Sequence, residues 1–327
     1  MRVFCRTVII RSNRRNTGDF GVFREHPRSV DGKILYMTIS SVLACVDGGD
    51  GSEKVIETAI SVGKSFSAYV EVLHVERPVS PAMPSIVEGG SLIAAAEIFD
   101  AIEREESERT KNAERLFQRL CVDGGLNIVD ADPIENFKDS QSGFAWNLVS
   151  GHDNRELGYR GRLFDLIIMA KVNEQDGGVD SSLLEAALFD TGRPVLITSD
   201  EPVDFRNAQV AVAWDGSREA ARSVGLAMPF LEAANRVSVI TVSDGSEVEG
   251  AAELGRYLSR HGVLNECVPL KKNGGTIAHS LIEESRNHDI GLLVMGAYGH
   301  SALSQYLFGG VTRELLESGK LPLLVAH

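Results

Sequence analysis

Met295-Gly-Ala-Tyr-Gly-His-Ser301, running on to Phe308-Gly-Gly-Val-Thr312 and closed by Leu321-Pro-Leu-Leu-Val325, is the stretch that decides the fold. It reads as a buried strand, a glycine-punctuated loop, a helix start and a final strand opened by proline. Glycines at 296, 299, 309 and 310 let backbone N–H groups approach a ligand closely, the second pair where a helix begins. Oriented amides at a helix start are anion-binding chemistry, and phosphate is the anion that this arrangement suits.

Working outward, the chain repeats itself. Ser41-Val-Leu-Ala-Cys-Val-Asp47 leads through Gly48, Gly49 and Gly51 into Ser52-Glu-Lys-Val, and Gln209-Val-Ala-Val-Ala-Trp-Asp215 leads through Gly216 into Ser217-Arg-Glu-Ala. Each is a strand ending in Asp, a tight turn, then a Ser positioned to cap a helix with Glu in its first turn. A second strand follows in each, Tyr69 to Val75 and Arg236 to Val242. The copies also end alike, Phe164 to Met169 and Arg193-Pro-Val-Leu-Ile197 matching Gly291 to Met295 and Leu321 to Val325. The strand-end Asp and the final Pro are 147 positions apart in the first copy and 107 in the second. The surplus of about forty is placed mostly between Pro78 and Leu126, before the third strand. Within it, Ile98, Phe99, Ile102, Leu116, Phe117 and Leu120 predict the apolar stripe of a helix covering the sheet, and Glu103 to Arg109 its solvated face. A regulatory or partner-binding arm is the sharper alternative for this segment.

Alternating strands and helices argue for an α/β fold: two tandem doubly wound parallel-sheet, Rossmann-like domains built from right-handed crossovers. Apolar runs such as Leu166 to Met169 and Leu292 to Met295 fit a sheet buried on both faces. Ligands of such sheets bind beyond the carboxyl ends of the strands, where strand order reverses. Asp215 and Gly296 both lie at such ends and are expected to line one crevice.

These residues resemble the universal stress protein family. The resemblance rests on Gly296-x2-Gly299-x9-Gly309 followed by a small residue, on the Asp-Gly-Ser turn after the first strand, and on the Val-Leu-His-Val75 type of second strand. It covers roughly residues 38–327 as two tandem domains, with adenine-nucleotide alpha-hydrolase-like folds, and its strongest motif lies in the second. It implies an ATP or other adenine-nucleotide site, with Mg2+ accompanying the phosphates, formed by Asp215, Gly296, Gly299, His300, Gly309, Gly310, Val311 and Thr312. Asp215 would contact ribose or adenine. From the residues alone it equally predicts an Asx-type bond into Gly216 and Ser217. His300 is read either as a phosphate donor or as a loop residue satisfying neighbouring backbone. The family pattern has Ser or Thr where Gly310 stands, so a side-chain hydroxyl is missing there, while Gly310 keeps its amide and Thr312 offers a hydroxyl one turn on. In the first copy, the glycine loop is replaced by Ala170-Lys-Val-Asn-Glu-Gln-Asp-Gly-Gly178 and Asp180, whose acidic residues 174, 176 and 180 repel phosphate. That copy reads as degenerate and nucleotide-free.

The resulting division is an N-terminal arm over residues 1–36, disordered or preceding the true start, a degenerate domain over 37–200, and a nucleotide-loop domain over 207–327. The arm carries eight Arg or Lys against three Asp or Glu. The whole chain has a formal net charge of −13 over 327 residues, which disfavours nucleic-acid and anionic-membrane surfaces. No apolar run approaches the roughly 20 residues of a membrane span. Cys5, Cys45, Cys121 and Cys267 lack C-x-x-C spacing; Cys45 and Cys267 read as reduced core thiols, in keeping with a cytoplasmic setting. Ser52 and Ser217 read as helix caps. His279 and His288 lie nine apart without a partner at i+4, so no metal site is expected. No P-loop, nucleophile elbow or Mg2+ carboxylate pair is present, so the expected role is stress-responsive regulation or protection without efficient turnover. Two other classes remain: a nucleotide-free interaction module, and an adenylating enzyme on a related fold. The family resemblance further implies that the last strand, Leu321 to Ala326, pairs the two halves as an intramolecular pseudo-dimer, or pairs two chains as a homodimer. A protein partner is expected without its identity.

Overall fold

The computed structural model describes residues 29–30, 33–34, 38–78, 92–131, 143–171, 181–200, 203–243, 250–271, 275–297, 310–318 and 320–327. The chain divides into two compact units, residues 1–36 and 37–327. In the first, β1 (Ser29–Val30) pairs antiparallel with β2 (Lys33–Ile34), where the sequence predicted no regular structure.

The larger unit contains one eleven-stranded sheet. Its first half brings β3 (Ser41–Val46), β4 (Tyr69–Glu76), β5 (Asn127–Ile128), β6 (Gly143–Ser150), β7 (Leu166–Met169) and β8 (Val195–Ile197). Its second half brings β9 (Gln209–Ala213), β10 (Arg236–Ser243), β11 (Asn265–Lys271), β12 (Ile290–Gly296) and β13 (Leu323–Ala326). The order across the sheet is β11-β10-β9-β12-β13-β8-β7-β3-β4-β6-β5. Within each half all pairings are parallel. Each half therefore winds outward from its first strand, returns, and winds the other way, which under right-handed crossovers puts helices on both faces.

The strands are apolar because both faces are covered. Val42, Leu43, Ala44, Leu166, Ile167, Ile168, Leu292, Leu293 and Val294 are each 0% exposed. The helices are α1 (Ser52–Phe66), α2 (Leu92–Asp123), α3 (Asp153–Arg160), α4 (Ser181–Glu185), α5 (Arg218–Leu226), α6 (Met228–Ala233), α7 (Ala251–Arg260), α8 (Ile277–Asn287) and α9 (Gly310–Ser318). None of the described helices is long and apolar enough to cross a membrane.

The halves meet where β13 pairs antiparallel with β8, in the register Leu323↔Ile197, Leu324↔Leu196, Val325↔Val195. An edge strand from each half thus satisfies the other's open hydrogen-bonding row.

Three expectations need correction. The strand beside β4 is β6, so the first-half surplus runs on past Leu126, and the two exposed residues of β5 form only an outer edge. Phe144 and Ala145 make β6 the buried partner. In α2 the stripe does not run the length of the helix: Phe117 is buried, but Ile98 and Ile102 are 61% and 46% exposed because the front of the helix passes the sheet. Cys267 is exposed, since β11 is an edge strand, whereas Cys45 is buried as expected.

Candidate functional site

In the second half the strand order reverses between β9 and β12, and the turn after β9 is built at that point. Trp214 continues the ladder by donating its backbone N–H to Ile240 O at 2.9 Å. Asp215 Oδ1 then accepts the Ser217 N–H at 2.9 Å, which closes the Asx turn around Gly216, whose φ is +79°. Ser217 Oγ accepts the Ala220 N–H at 3.1 Å and caps α5. The start of α5, with its partial positive charge, is thereby held at the carboxyl edge of the sheet.

Gly296, the last residue of β12, lies directly against this first turn. A Cβ there would stand 2.5 Å from Ala220 N and 2.7 Å from the Glu219 carbonyl carbon. Backbone packing alone therefore demands glycine at 296. Gly296 also stands opposite Ala326 of β13, and Ala297 N donates to Ala326 O at 3.0 Å.

On the far side of the loop, α9 begins at Gly310. Gly310 is exposed, and an added Cβ would meet nothing within 4 Å. Val311 is half-buried against the core and Thr312 is buried. The α9 helix is tied to α8 by Thr276 Oγ1 donating to Glu314 Oε1 at 2.7 Å. Asp215, Gly296, Gly310, Val311 and Thr312 are thus placed, with Asp215 and Gly296 brought to one switch point. Gly299, His300 and Gly309 lie outside the described residues.

The first half has the same crevice with different contents. Asp47 Oδ1 accepts from Gly49 N and from Ser52 Oγ, and Ser52 Oγ accepts from Gly48 N. Gly48 has φ +78°, nearly that of Gly216. Ser52 is thus a clasp within the turn, and the cap position of α1 belongs to Gly51, contrary to the sequence expectation. The register of β7 on β3 puts Ala170 where the second half has Gly296. The glycine has moved to the helix side of the contact: a Cβ on Gly51 would lie 2.6 Å from Ala170 Cβ. The acidic residues 174, 176 and 180 lie outside the described residues.

Sequence reading missed the residues around the first-half crevice. Cys45, Asp47, His74, Arg77, Glu106, Arg109, Asp153 and Leu157 are among those lining a cavity of about 30 Å³. Burial, then the nearby carboxylates of Asp153 and Glu71, push the Cys45 thiol up to about 12. Arg77 donates to Asp153 Oδ2 through Nε at 2.9 Å and Nη2 at 2.6 Å, and that bond raises its already high pKa. His74 Nδ1 lies 2.9 Å from Val46 O, which can only accept, so the ring carries its proton there. No spacing within the sequence signals this cluster, since it gathers residues from β3, β4, α2 and α3.

Two other histidines sit beside glutamates, His279 3.9 Å from Glu283 and His288 3.1 Å from Glu284. Among the described residues no group of three or more His, Cys, Asp or Glu is arranged to hold a metal ion.

Comparison with known proteins places this geometry among relatives. Residues 207–327 match the sequence model of the Universal stress protein family. A universal stress protein of Synechocystis sp. (strain ATCC 27184 / PCC 6803 / Kazusa) is 23% identical over 300 residues, spanning 88% of this chain and 99% of that protein. Two solved structures share the fold across the same 88% of this chain. A universal stress protein from Archaeoglobus fulgidus DSM 4304 is 17% identical with a TM-score of 0.56 over 97% of its length. A functionally unknown protein from Pseudomonas aeruginosa PAO1 is 14% identical with a TM-score of 0.52 over 92% of its length.

Proposed function

We propose that this chain, whose residues 207–327 match the Universal stress protein family, binds ATP or another adenine nucleotide in its second half. The crevice between β9 and β12 takes the ligand. Asp215 faces the ribose or adenine, while the amides of Gly296, Gly299, Gly309, Gly310 and Val311, with His300 and Thr312, take the phosphates and any accompanying Mg2+. The observation that carries the reading is the meeting of the capped start of α5 with Gly296 at the strand-order reversal. Domains over 37–200 and 207–327 act as one tandem protein behind the arm at 1–36, with β8 and β13 forming its internal pseudo-dimer seam. The free thiols Cys45, Cys121 and Cys267 support a reducing, cytoplasmic setting. The role is ligand-responsive regulation or protection under stress, without efficient turnover.

The test is direct. Protein purified gently and then denatured releases an adenine nucleotide, and the stripped protein binds ATP saturably, followed through the half-buried Trp214 next to Asp215. Absence of both carried nucleotide and saturable binding removes this reading. Gly299→Val abolishes binding and leaves the circular dichroism spectrum intact; equal affinity in that variant puts the site elsewhere.

A second reading, a nucleotide-free interaction module, is favoured by two observations together: Gly310 brings no hydroxyl, and Thr312 is only 7% exposed. The same titration decides between them.

A further inference from the structure

The two halves end their sheet-covering helices identically. Leu126 N donates to Cys121 O at 2.9 Å after α2, and Val263 N donates to Leu258 O at 3.0 Å after α7. Gly125 and Gly262 hold the positive φ values, +58° and +75°, between them. This match sets Phe117 and Cys121 against Leu254 and Leu258, and it makes Ala251, the first residue of α7, the counterpart of Glu114. Everything in α2 ahead of Glu114 therefore has no helical counterpart among the described residues of the second half.

That extra front is fastened to the first-half crevice. The backbone of Arg109 sits on Gly48 so closely that a Cβ on Gly48 would be 2.1 Å from Arg109 O. Asn112 Nδ2 donates to Gly48 O at 2.8 Å. The Arg109 guanidinium stands 3.8 Å from the Asp47 carboxylate. His74 Nε2 lies within hydrogen-bond distance of the Thr110 hydroxyl, at 3.0 Å. Glu106 Oε1 accepts the Arg77 N–H at 3.0 Å. The Arg109 and Asn112 contacts fall on the turn after β3, the counterpart of the Asp215 turn, and the Thr110 and Glu106 contacts on the end of β4 beside it.

We propose that the stretch of α2 from Glu106 to Ala113 is a resident plug: it fills the first-half crevice, so that the chain offers one ligand crevice in place of two. The equivalence of the two crevices as ligand sites rests on the function proposed above; the seating of the plug does not. The space left beneath it, about 30 Å³, has room for roughly two waters. Ligand pockets measure about 300–1,000 Å³. Asp153 Oδ1, buried at its wall without a hydrogen-bond partner, is suited to one of those waters.

Cys45 lies under the plug and reports its position. In a chain whose other cysteines are replaced by Ala, alkylation of Cys45 by iodoacetamide is slow, and Arg109→Ala with Asn112→Ala makes it roughly tenfold faster or more by freeing local opening. Glu108→Ala with Lys111→Ala, which removes an exposed ion pair on the same helix, leaves the rate unchanged. An unchanged rate in the first pair, or an acceleration of equal size in the control, overturns the plug. Calorimetric titration of the unsubstituted chain with ATP provides a measurement that needs no variant. One site per chain, lost completely in Gly299→Val, agrees with the plug, and two sites overturn it. No ATP binding at all sinks the nucleotide reading, while the alkylation rates still decide the plug.

Discussion

Two glycines of one motif answer to different forces. Gly296 is required by the turn of α5 pressed against it, and Gly310 faces open space. Gly296→Ala therefore costs about 1–3 kcal/mol as strain between β12 and α5, seen as a lower denaturant midpoint; an unchanged midpoint means that α5 retreats freely. Gly310→Ser has room, and a hydroxyl on a phosphate oxygen is a hydrogen bond to a charged group worth about 1.5–3 kcal/mol. ATP affinity should rise roughly tenfold or more with little change in stability, and a drop in affinity would place the phosphates away from residue 310. At Cys45 the folded state holds the thiol up to about 12, above the ordinary thiol value near 8.5. The unfolded chain therefore loses that proton first. The stability contributed by the protonated thiol is complete below the ordinary value and is lost as pH rises toward 12. Comparison with Cys45→Ala in alkaline unfolding isolates this loss, and parallel curves would count against it.

At the scale of elements, the two halves start their first helices differently. Ser217 caps α5 through the Ala220 N–H, whereas Ser52 turns back to Gly48 and Asp47. The pattern of Asp, Gly and Ser was visible in both copies, but the three additional residues between Asp47 and Ser52 shift the serine from cap to clasp. Ser217→Ala is expected to cost about 1 kcal/mol in thermal unfolding, and no loss would mean that water replaces the cap. In α2 the apolar spacing correctly announced a helix. It could not say where the sheet ends, so Ile98 and Phe117, both drawn into the same stripe, part company in the fold.

For the molecule as a whole, the antiparallel meeting of β13 with β8 joins two doubly wound halves into a single sheet. Leu324 is 0% exposed there. Leu324→Asp leaves a buried charge without a partner and is expected to cost at least about 3 kcal/mol and to separate one calorimetric transition into two. A single transition at the original temperature would show that the seam carries no coupling between the halves. The repeat, the parallel strands and the reversal of strand order were determined by sequence alone, because a strand buried on both faces must be a continuous apolar run and a crossover must alternate strand with helix. The packing that makes Gly296 indispensable, the exposure of Cys267 on an edge, and the seating of Arg109 on Gly48 were decided only by tertiary structure. Each depends on groups tens of residues apart in the chain, and local periodicity carries no record of which distant backbone will arrive beside it.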